Sequence, residues 1–585
     1  MGQCICRSRA IVATTAALLV FCLSATLQAA TVSVAVDFSA DRRPLSPLIY
    51  GANFAADSQF ANPRFTVQRH GGNSTTRYNW QVDVHNTAND YFYQNIPDGD
   101  GSNLPANSTV NQLLASALAG GAETIVTIGT IGWTPDAERI KKSGFSVALY
   151  GVQTVNECSF YNPNPPPWCT ADSGNGLCDP LQNMSGFCVG NQIVGNDPND
   201  TSFATDASWA GGWVSHLVGR HGAANGGGVR FYALDNEAML WNSTHRDVHP
   251  QPATYDELWQ KTLSNAAAIK AADPGAQVLG PVTWGYCDLF GSAADDCLDG
   301  PDRQAHGGLP FVQWYLRQVC QHQTNTGLRL VDYLDLHYYP QGDGVVDFAG
   351  NLAFSESATV SARRLRSLKE LYDPTWVSES WISDLGDNDG NHYDKPQFLP
   401  RVKAWIAAEC PDMKLAISEY NWGPDQGISG ALAQAEALAI FAREGVDLAT
   451  RWVAPPPGSL VERAFRLFLN YDGLGSRVEG SSARAISADT DALGSYAVDL
   501  EGQRSMLLLF NKATTSTTAA ISLASSLNGS WRLYRYDQNN DVGEVASGNI
   551  SGTTLNLVNL PPRSANLLVL PAATVADPLF ANGFE

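Results

Sequence analysis

Strand-length apolar runs alternate with helix-length segments along most of this chain, and no other feature of the sequence constrains its fold as tightly. Strand-like runs occur at 49–54, 65–68, 123–130, 229–237, 277–284, 330–338, 415–420 and 447–453. Helix-like segments at 108–118, 207–220, 255–272, 311–321, 400–409 and 432–444 lie between most of them; 255–272 is amphipathic and ends before Pro274. Eight strands with interleaved helices over roughly four hundred residues predict an α/β chain folded as a (β/α)8 TIM-like barrel with long loops. The helices after the first two strands are poorly marked.

The two ends read differently. Residues 31–37 alternate like a strand ahead of the repeat. Beyond Pro455 the helical period fades, and short alternating runs follow at 483–487, 496–500, 505–511, 519–523, 531–536 and 565–570. Regular short strands separated by turns predict a β-sandwich, with the leading strand as its partner. The expected layout is a signal at 1–30, a joining strand at 31–45, the barrel at 46–455, the sandwich at 456–572 and a tail at 573–585. Trp531, Tyr534 and Tyr536 are candidates for a sugar-binding platform on the sandwich, although alternation puts some of them in its core.

Arg7 and Arg9 precede an apolar stretch, 11–23, with small residues at Ala29 and Ala30: the pattern of an export signal, too short for a confident membrane span. Eight of the 11 cysteines follow it, an even number that favours disulfides over thiol chemistry in an exported chain. Near neighbours, 158 with 169, 178 with 188 and 287 with 297, are the expected pairs. A formal net charge of −21 argues against nucleic acid or anionic lipid as partners and suits an enzyme acting on a neutral one. The segment 151–206 carries four of the cysteines and reads as a pinned loop between strands three and four. Within it Asn196-Asp-Pro-Asn-Asp-Thr201 offers Asp197 and Asp200 as calcium ligands, or forms an ordinary Asx-rich turn.

The chemistry is concentrated at strand ends. The fourth strand stops at Asp235-Asn-Glu237 and the seventh delivers Ser418-Glu-Tyr-Asn-Trp422. In a barrel of this kind the carboxyl ends of the strands carry function. Arg69-His-Gly-Gly-Asn73, Gly132-Trp133, Trp284, His337-Tyr-Tyr339 and Arg451-Trp452 fall there too. Two carboxylates facing each other are what cleavage of a glycosidic bond requires: one protonates the departing oxygen, the other acts as base or nucleophile. Leu234, Met239, Leu240 and Trp241 are apolar walls able to keep Glu237 protonated; Arg69, Tyr338 and Asn421 are candidate partners for an ionised Glu419. A gap of about 5 to 5.5 Å means retention of configuration and a wider one inversion. Glu379 is an acid in a loop, suited more to orienting than to catalysis. Ser418 lacks a GxSxG elbow, and the histidines of Thr244-His-Arg-Asp-Val-His249 lack HExxH spacing.

Arg69-His-Gly-Gly-Asn-Ser-Thr-Thr-Arg-Tyr-Asn-Trp80, Leu234-Asp-Asn-Glu-Ala-Met-Leu-Trp241 and Ser418-Glu-Tyr-Asn-Trp-Gly423 together resemble glycoside hydrolase family 44. Leu336-His-Tyr-Tyr-Pro340, Glu379-Ser-Trp-Ile382 and the stretch 465–473 extend the likeness, which covers about 31 to 570. The resemblance implies a secreted, retaining endo-β-1,4-glucanase or xyloglucanase, a barrel joined to a β-sandwich built from both chain ends, Glu237 as acid/base and Glu419 as nucleophile. Bound calcium is also seen in the family. The sequence departs from the pattern at Ala238, where Pro is usual, and at His70, where Trp is frequent.

The expectation is therefore hydrolysis of xyloglucan or soluble cellulosic glucan of the plant cell wall by a monomer outside the cell or in the periplasm. No catalytic cofactor or metal is expected. Arg69, Asn73, Trp80, Trp133, Asn236, Trp284, Tyr338, Trp381, Trp422 and Trp452 are the candidate substrate-binding residues, each Trp being otherwise a core residue. A hydrolase of xylan or mannan and a non-catalytic glycan-binding protein are the alternatives.

Overall fold

The computed structural model describes residues 30–573 except 298, 347–355 and 388–390. The expected signal and nearly all of the tail lie outside the described residues.

Eight parallel strands close into a barrel: Gly51–Asn53, Val67–His70, Glu123–Ile128, Phe231–Leu234, Gln277–Thr283, Tyr333–Tyr338, Lys414–Tyr420 and Leu448–Arg451. Each lies inside, or within two residues of, a run marked by the sequence. A helix follows every strand. The first is only five residues, Asp57–Ala61, which is why its period was invisible. The others are Thr109–Ala119, Ala207–His221, Tyr255–Ala272, Phe311–Thr326, Phe398–Glu409, Ile428–Glu444 and Leu460–Leu469. Side-chain caps at Ser108, Asp206, Thr254 and Ser459 fix four of the starts by accepting a backbone N–H of the first turn. The eighth helix lies beyond residue 455, and the C-terminal sheet begins only at Ser481.

That sheet closes on itself. Ser481–Ser487, Leu493–Leu500, Arg504–Asn511, Ser564–Pro571 and Thr517–Tyr536 follow in antiparallel order. The leading strand Ala30–Asp37 then joins the two ends, antiparallel to Ser481–Ser487 and parallel to Thr517–Tyr536. Its alternation has a plain cause: Val32, Val34 and Val36 point into a core with Leu507, Ile521 and Leu568. Two runs separated in the sequence reading, 519–523 and 531–536, belong to one strand bent by register shifts, and its hairpin partner Gly543–Leu560 was missed. That partner is mostly exposed and polar, so it lacks the apolar alternation that marks a strand.

Between barrel and sheet lies the helix Ile428–Glu444, buried on nearly every side. Its Glu436 accepts from Lys512 Nζ (3.0 Å) and from the Tyr496 hydroxyl (3.0 Å), both on the sheet. Tyr536 donates to Ala431 O (2.8 Å), and Tyr534 packs on Tyr471 at 4.8 Å between ring centroids. Trp531, Tyr534 and Tyr536 therefore form no exposed platform, because the two tyrosines are buried against the barrel. The three expected disulfides are present, together with Cys320–Cys410, which joins the fifth and sixth barrel helices.

Candidate active site

At the end of the fourth barrel strand the chain turns through two left-handed residues, Asp235 (φ 70°) and Glu237 (φ 51°). Such angles are rare outside glycine and need support from the surroundings. Asp235 provides it: fully buried, its carboxylate accepts from Thr76 Oγ1 (2.6 Å), the Ile131 and Asn236 amides (3.1 and 2.8 Å) and Trp241 Nε1 (3.3 Å). The Glu237 amide donates to Val282 O on the neighbouring strand (3.1 Å). Glu237 is thus held at the barrel mouth by backbone and by the acid two residues before it.

Across the mouth, Glu419 is the penultimate residue of the seventh strand. Arg69 Nη1 donates to its Oε1 (2.6 Å) and the Tyr339 hydroxyl to its Oε2 (2.8 Å). Arg69 also reaches Asn53 Oδ1 (3.1 Å) and Asn236 Oδ1 (2.9 Å), tying strands one, two, four and seven together. The glycines after Arg69 make this possible. A Cβ on Gly71 would lie 2.2 Å from Arg69 Nη1, and one on Gly72 (φ 90°) 2.3 Å from the Trp452 ring. The Gly72 amide donates to Asn236 Oδ1 (3.1 Å), and Asn236 Nδ2 to Asn73 Oδ1 (3.2 Å).

His337 stands between the two acids, with Nδ1 2.8 Å from Glu237 Oε1 and 3.5 Å from Glu419 Oε2. Its Nε2 is 3.1 Å from Ser418 Oγ. One polar atom each from Glu237, His337 and Glu419 lie within 4.8 Å of one another, the only such acid–histidine group among the described residues. The line Ser418–His337–Glu237 superficially matches a serine-hydrolase relay, but Ser418 is fully buried and has no access to an acyl group.

Burial and the neighbouring Glu419 push the Glu237 carboxyl well above the usual range. Burial also raises Glu419, opposed by the Arg69 charge and by hydrogen bonds from Arg69 and Tyr339. The pair titrates as a unit, and the first proton to leave belongs to the carboxyl that faces the guanidinium. Burial, reinforced by Arg69, holds His337 neutral.

Residues 84–342 match the model of glycoside hydrolase family 44. A bifunctional glucanase-xylanase from a metagenome library superposes with a TM-score of 0.84 at 34% identity, over 93% of this chain and all of that one. The chain belongs to family 44. A family 44 xyloglucanase from Paenibacillus polymyxa, determined with xyloglucan, gives a TM-score of 0.70 at 26% identity over 93% of this chain and all of that one. A β-mannanase/endoglucanase A from Caldicellulosiruptor saccharolyticus is 30% identical over 496 residues, 81% of this chain. The chain spans only 33% of that relative's length. The family match takes in Glu237 and His337 but stops before Glu419, so the second acid stands on geometry.

In this family 44 hydrolase Arg69, Asn73 and Asn236 converge with the two acids. Trp452 lies over Gly72 and packs edge-on against Phe54 at 5.9 Å. Trp284 is half-buried beside Met239 and Leu240. Trp381 is exposed, its indole donating to Gln341 Oε1 (3.2 Å). Trp133 is half-buried on a short strand paired with 202–204. Trp80 stacks on His216 at 5.3 Å and leans on Trp209, on the flank of the third barrel helix.

Two candidates are corrected. Trp422 is 1% exposed with its indole bonded to Ser367 Oγ, and Tyr338 is 1% exposed with its hydroxyl on Glu370, so neither reaches a ligand. The phenol on Glu419 is Tyr339, one residue further on: alternation turns His337 and Tyr339 toward the acids and Tyr338 away, into the core. Asn421 serves Trp452 O and Gly423 rather than Glu419. His70 is buried, held down to about 3 by burial and Arg69, and packs against Tyr78 and Trp213 rather than lining the cleft. Glu379 pairs with Arg366 (3.0 Å) away from both acids. His337, named in the sequence only as a strand-end residue, is the functional group that reading missed. Its adjacency to both acids comes from three strands and leaves no local mark.

Asp197 and Asp200 do not fit a calcium site. Asp197 accepts from Asn199 N and Nδ2 (2.9 and 2.8 Å), closing an Asx turn, and Asp200 accepts from the Tyr150 hydroxyl. Among the described residues, no helix is long and apolar enough to cross a membrane.

Proposed function

We propose that this chain is an exported, retaining endo-β-1,4-glucanase that cleaves internal bonds of xyloglucan or soluble cellulosic glucan. The observation that carries the reading is the approach of Glu237 and Glu419 to within 4.8 Å at their nearest polar atoms across an open barrel mouth. A spacing of that order is the one a carboxylate nucleophile uses, inversion calling for a wider gap that also holds a water. The Arg7–Ala30 pattern supports export.

Glu419, held ionised by Arg69 and Tyr339, attacks the anomeric carbon. Glu237 protonates the departing oxygen, and a covalent glycosyl-enzyme forms. Glu237, now a carboxylate, takes a proton from water, which attacks the anomeric carbon on the face that the leaving group vacated and so displaces Glu419. The sugar ends in its starting configuration. Neutral His337 donates Nδ1–H to Glu237 Oε1 and accepts from Ser418 at Nε2, which leaves Oε2 to carry the transferred proton.

Glucan specificity draws on the relatives named for glucanase and xyloglucanase activity. The glucanase-xylanase and β-mannanase names keep xylan and mannan as second substrates to be tested. Reducing-end release across xyloglucan, carboxymethyl cellulose, xylan and mannan is the test. Fastest release from xyloglucan or the cellulosic glucan is expected, and faster release from xylan or mannan would reassign the substrate.

A further inference from the structure

The loop after the third strand builds a second structure that the catalytic chemistry does not use. A hollow of about 510 Å³ lies beside the acid, walled by Tyr91, Phe92, Phe160, Asn175, Gln192 and Asn242. Two links tie it to the active site. Asp90 on its rim accepts from Asn73 Nδ2 (3.1 Å), and Asn73 holds Asn236 beside Glu237. Asn242 belongs to the helical turn Trp241–Thr244, which is separated from the acid by the single turn Ala238–Leu240.

One wall is an aromatic crest. Phe160 is 62% exposed and Trp168 55%, unusual for large apolar rings on a fixed loop. Phe160 packs edge-on to Phe92 (5.9 Å) and Tyr161 (5.1 Å), and Tyr161 to Trp168 (5.3 Å). The crest is rigid. The Cys158–Cys169 disulfide brackets it, prolines occupy 163 and 165–167, and the Tyr91 hydroxyl donates to Glu157 Oε1 (2.8 Å). Phe92 and Tyr93 are both left-handed, at φ 56° and 50°, in the loop that presents the hollow. A conformation this costly for bulky residues persists only where the surroundings impose it.

We propose that the hollow and its crest form an outer glycan subsite, where a pyranose of the glucan main chain stacks on Phe160 and hydrogen-bonds the amides of Asn175, Gln192 and Asn242. This rests on the hydrolase reading. Carbohydrate is the fitting occupant because a flat ring presents a C–H face to an aromatic side chain, while amides match hydroxyls; the two charges of the lining are already engaged, Asp90 by Asn73 Nδ2 and Arg246 by the Ile193 and Gly176 carbonyls. Rings fixed before binding lose little entropy when a sugar arrives.

Native gels containing hydroxyethyl cellulose or xyloglucan test it with the full chain carrying Glu237→Gln, which prevents hydrolysis. In that background Phe160→Ala should weaken retardation about fivefold or more, Phe160→Trp should restore it, and Leu181→Ala, on an exposed residue off the crest, should change nothing. In the hydrolysing protein Phe160→Ala should raise KM for the polymer by a similar factor with kcat altered less than about twofold. Equal retardation of the Phe160→Ala and parent proteins would overturn the subsite, as would a parent that neither glucan retards. The hydrolase reading fails differently: the wild-type chain would then release no reducing ends from either polymer.

Discussion

The ends of the fourth and seventh barrel strands each place a glutamate, one half-buried and one buried, at the same cleft, yet they surround it differently. Glu419 receives a guanidinium and a phenol, both donors, one of them charged. Glu237 has a neutral imidazole and the negative charge of Glu419 opposite. Both carboxyls lose water, but only one gains a cation in exchange, and that asymmetry separates a nucleophile from an acid. Two like residues take different roles through their neighbours.

The sharpest break in this comparison comes from removing each acid in turn. Glu237→Gln and Glu419→Gln should each lower kcat on polymeric glucan about a thousandfold or more while binding survives. They should part on a β-glucoside of an acidic phenol, whose departure needs no proton. Release of the first equivalent should persist in the Glu237 variant and stay absent in the Glu419 variant, read as a burst of free phenol. Identical behaviour on both substrates would erase the distinction.

Arg69→Leu comes next, with a fall of about a hundredfold in kcat/KM, since it leaves a buried carboxylate without its cation. Its pH profile carries the sign. Glu419 must be ionised to attack, and Arg69 lowers its pKa, so the acidic limb should move to higher pH in the variant. The alkaline limb follows loss of the Glu237 proton, whose pKa burial and Glu419 raise. Tyr339→Phe removes only a neutral donor and should cost about tenfold, with a smaller shift of the acidic limb in the same direction.

Glu370, another buried carboxyl with no cation beside it, serves as the control. Burial raises it from 4.5 to about 7, against hydrogen bonds from Ser378 and Tyr338. A folded pKa above the unfolded value contributes stability that is whole below about pH 4.5 and is lost as pH rises through about 7. At about 1.4 kcal/mol per pH unit the loss reaches on the order of 3 kcal/mol. Glu370→Gln should therefore flatten the fall in Tm between pH 5 and 8. A fall as steep as in the wild type would show that burial alone does not set these pKa values.

The barrel was legible because each of its strands is a compact apolar run, and the two acids because strand ends terminate in polar residues. What surrounds the acids was only half legible. Arg69 and Asn236 carry motifs, and Gly71 and Gly72 mark a close approach that the structure explains. Tyr338 was named in place of Tyr339 because adjacent tyrosines look alike in sequence, and only alternation, with His337 and Tyr339 on the cleft side, tells them apart. Trp422 read as a ligand platform because strand-end aromatics look alike in sequence, whereas Ser367 holds it in the core. The strand Gly543–Leu560 escaped because an exposed polar edge has no hydrophobic period to detect.

Proton NMR of the first product from a soluble cello-oligosaccharide or xyloglucan fragment tests the paired-glutamate mechanism most directly. The β-anomer signal should appear first, with the α-anomer growing only at the rate of mutarotation. Initial release of the α-anomer would contradict a covalent intermediate on Glu419 and overturn the roles assigned to both acids.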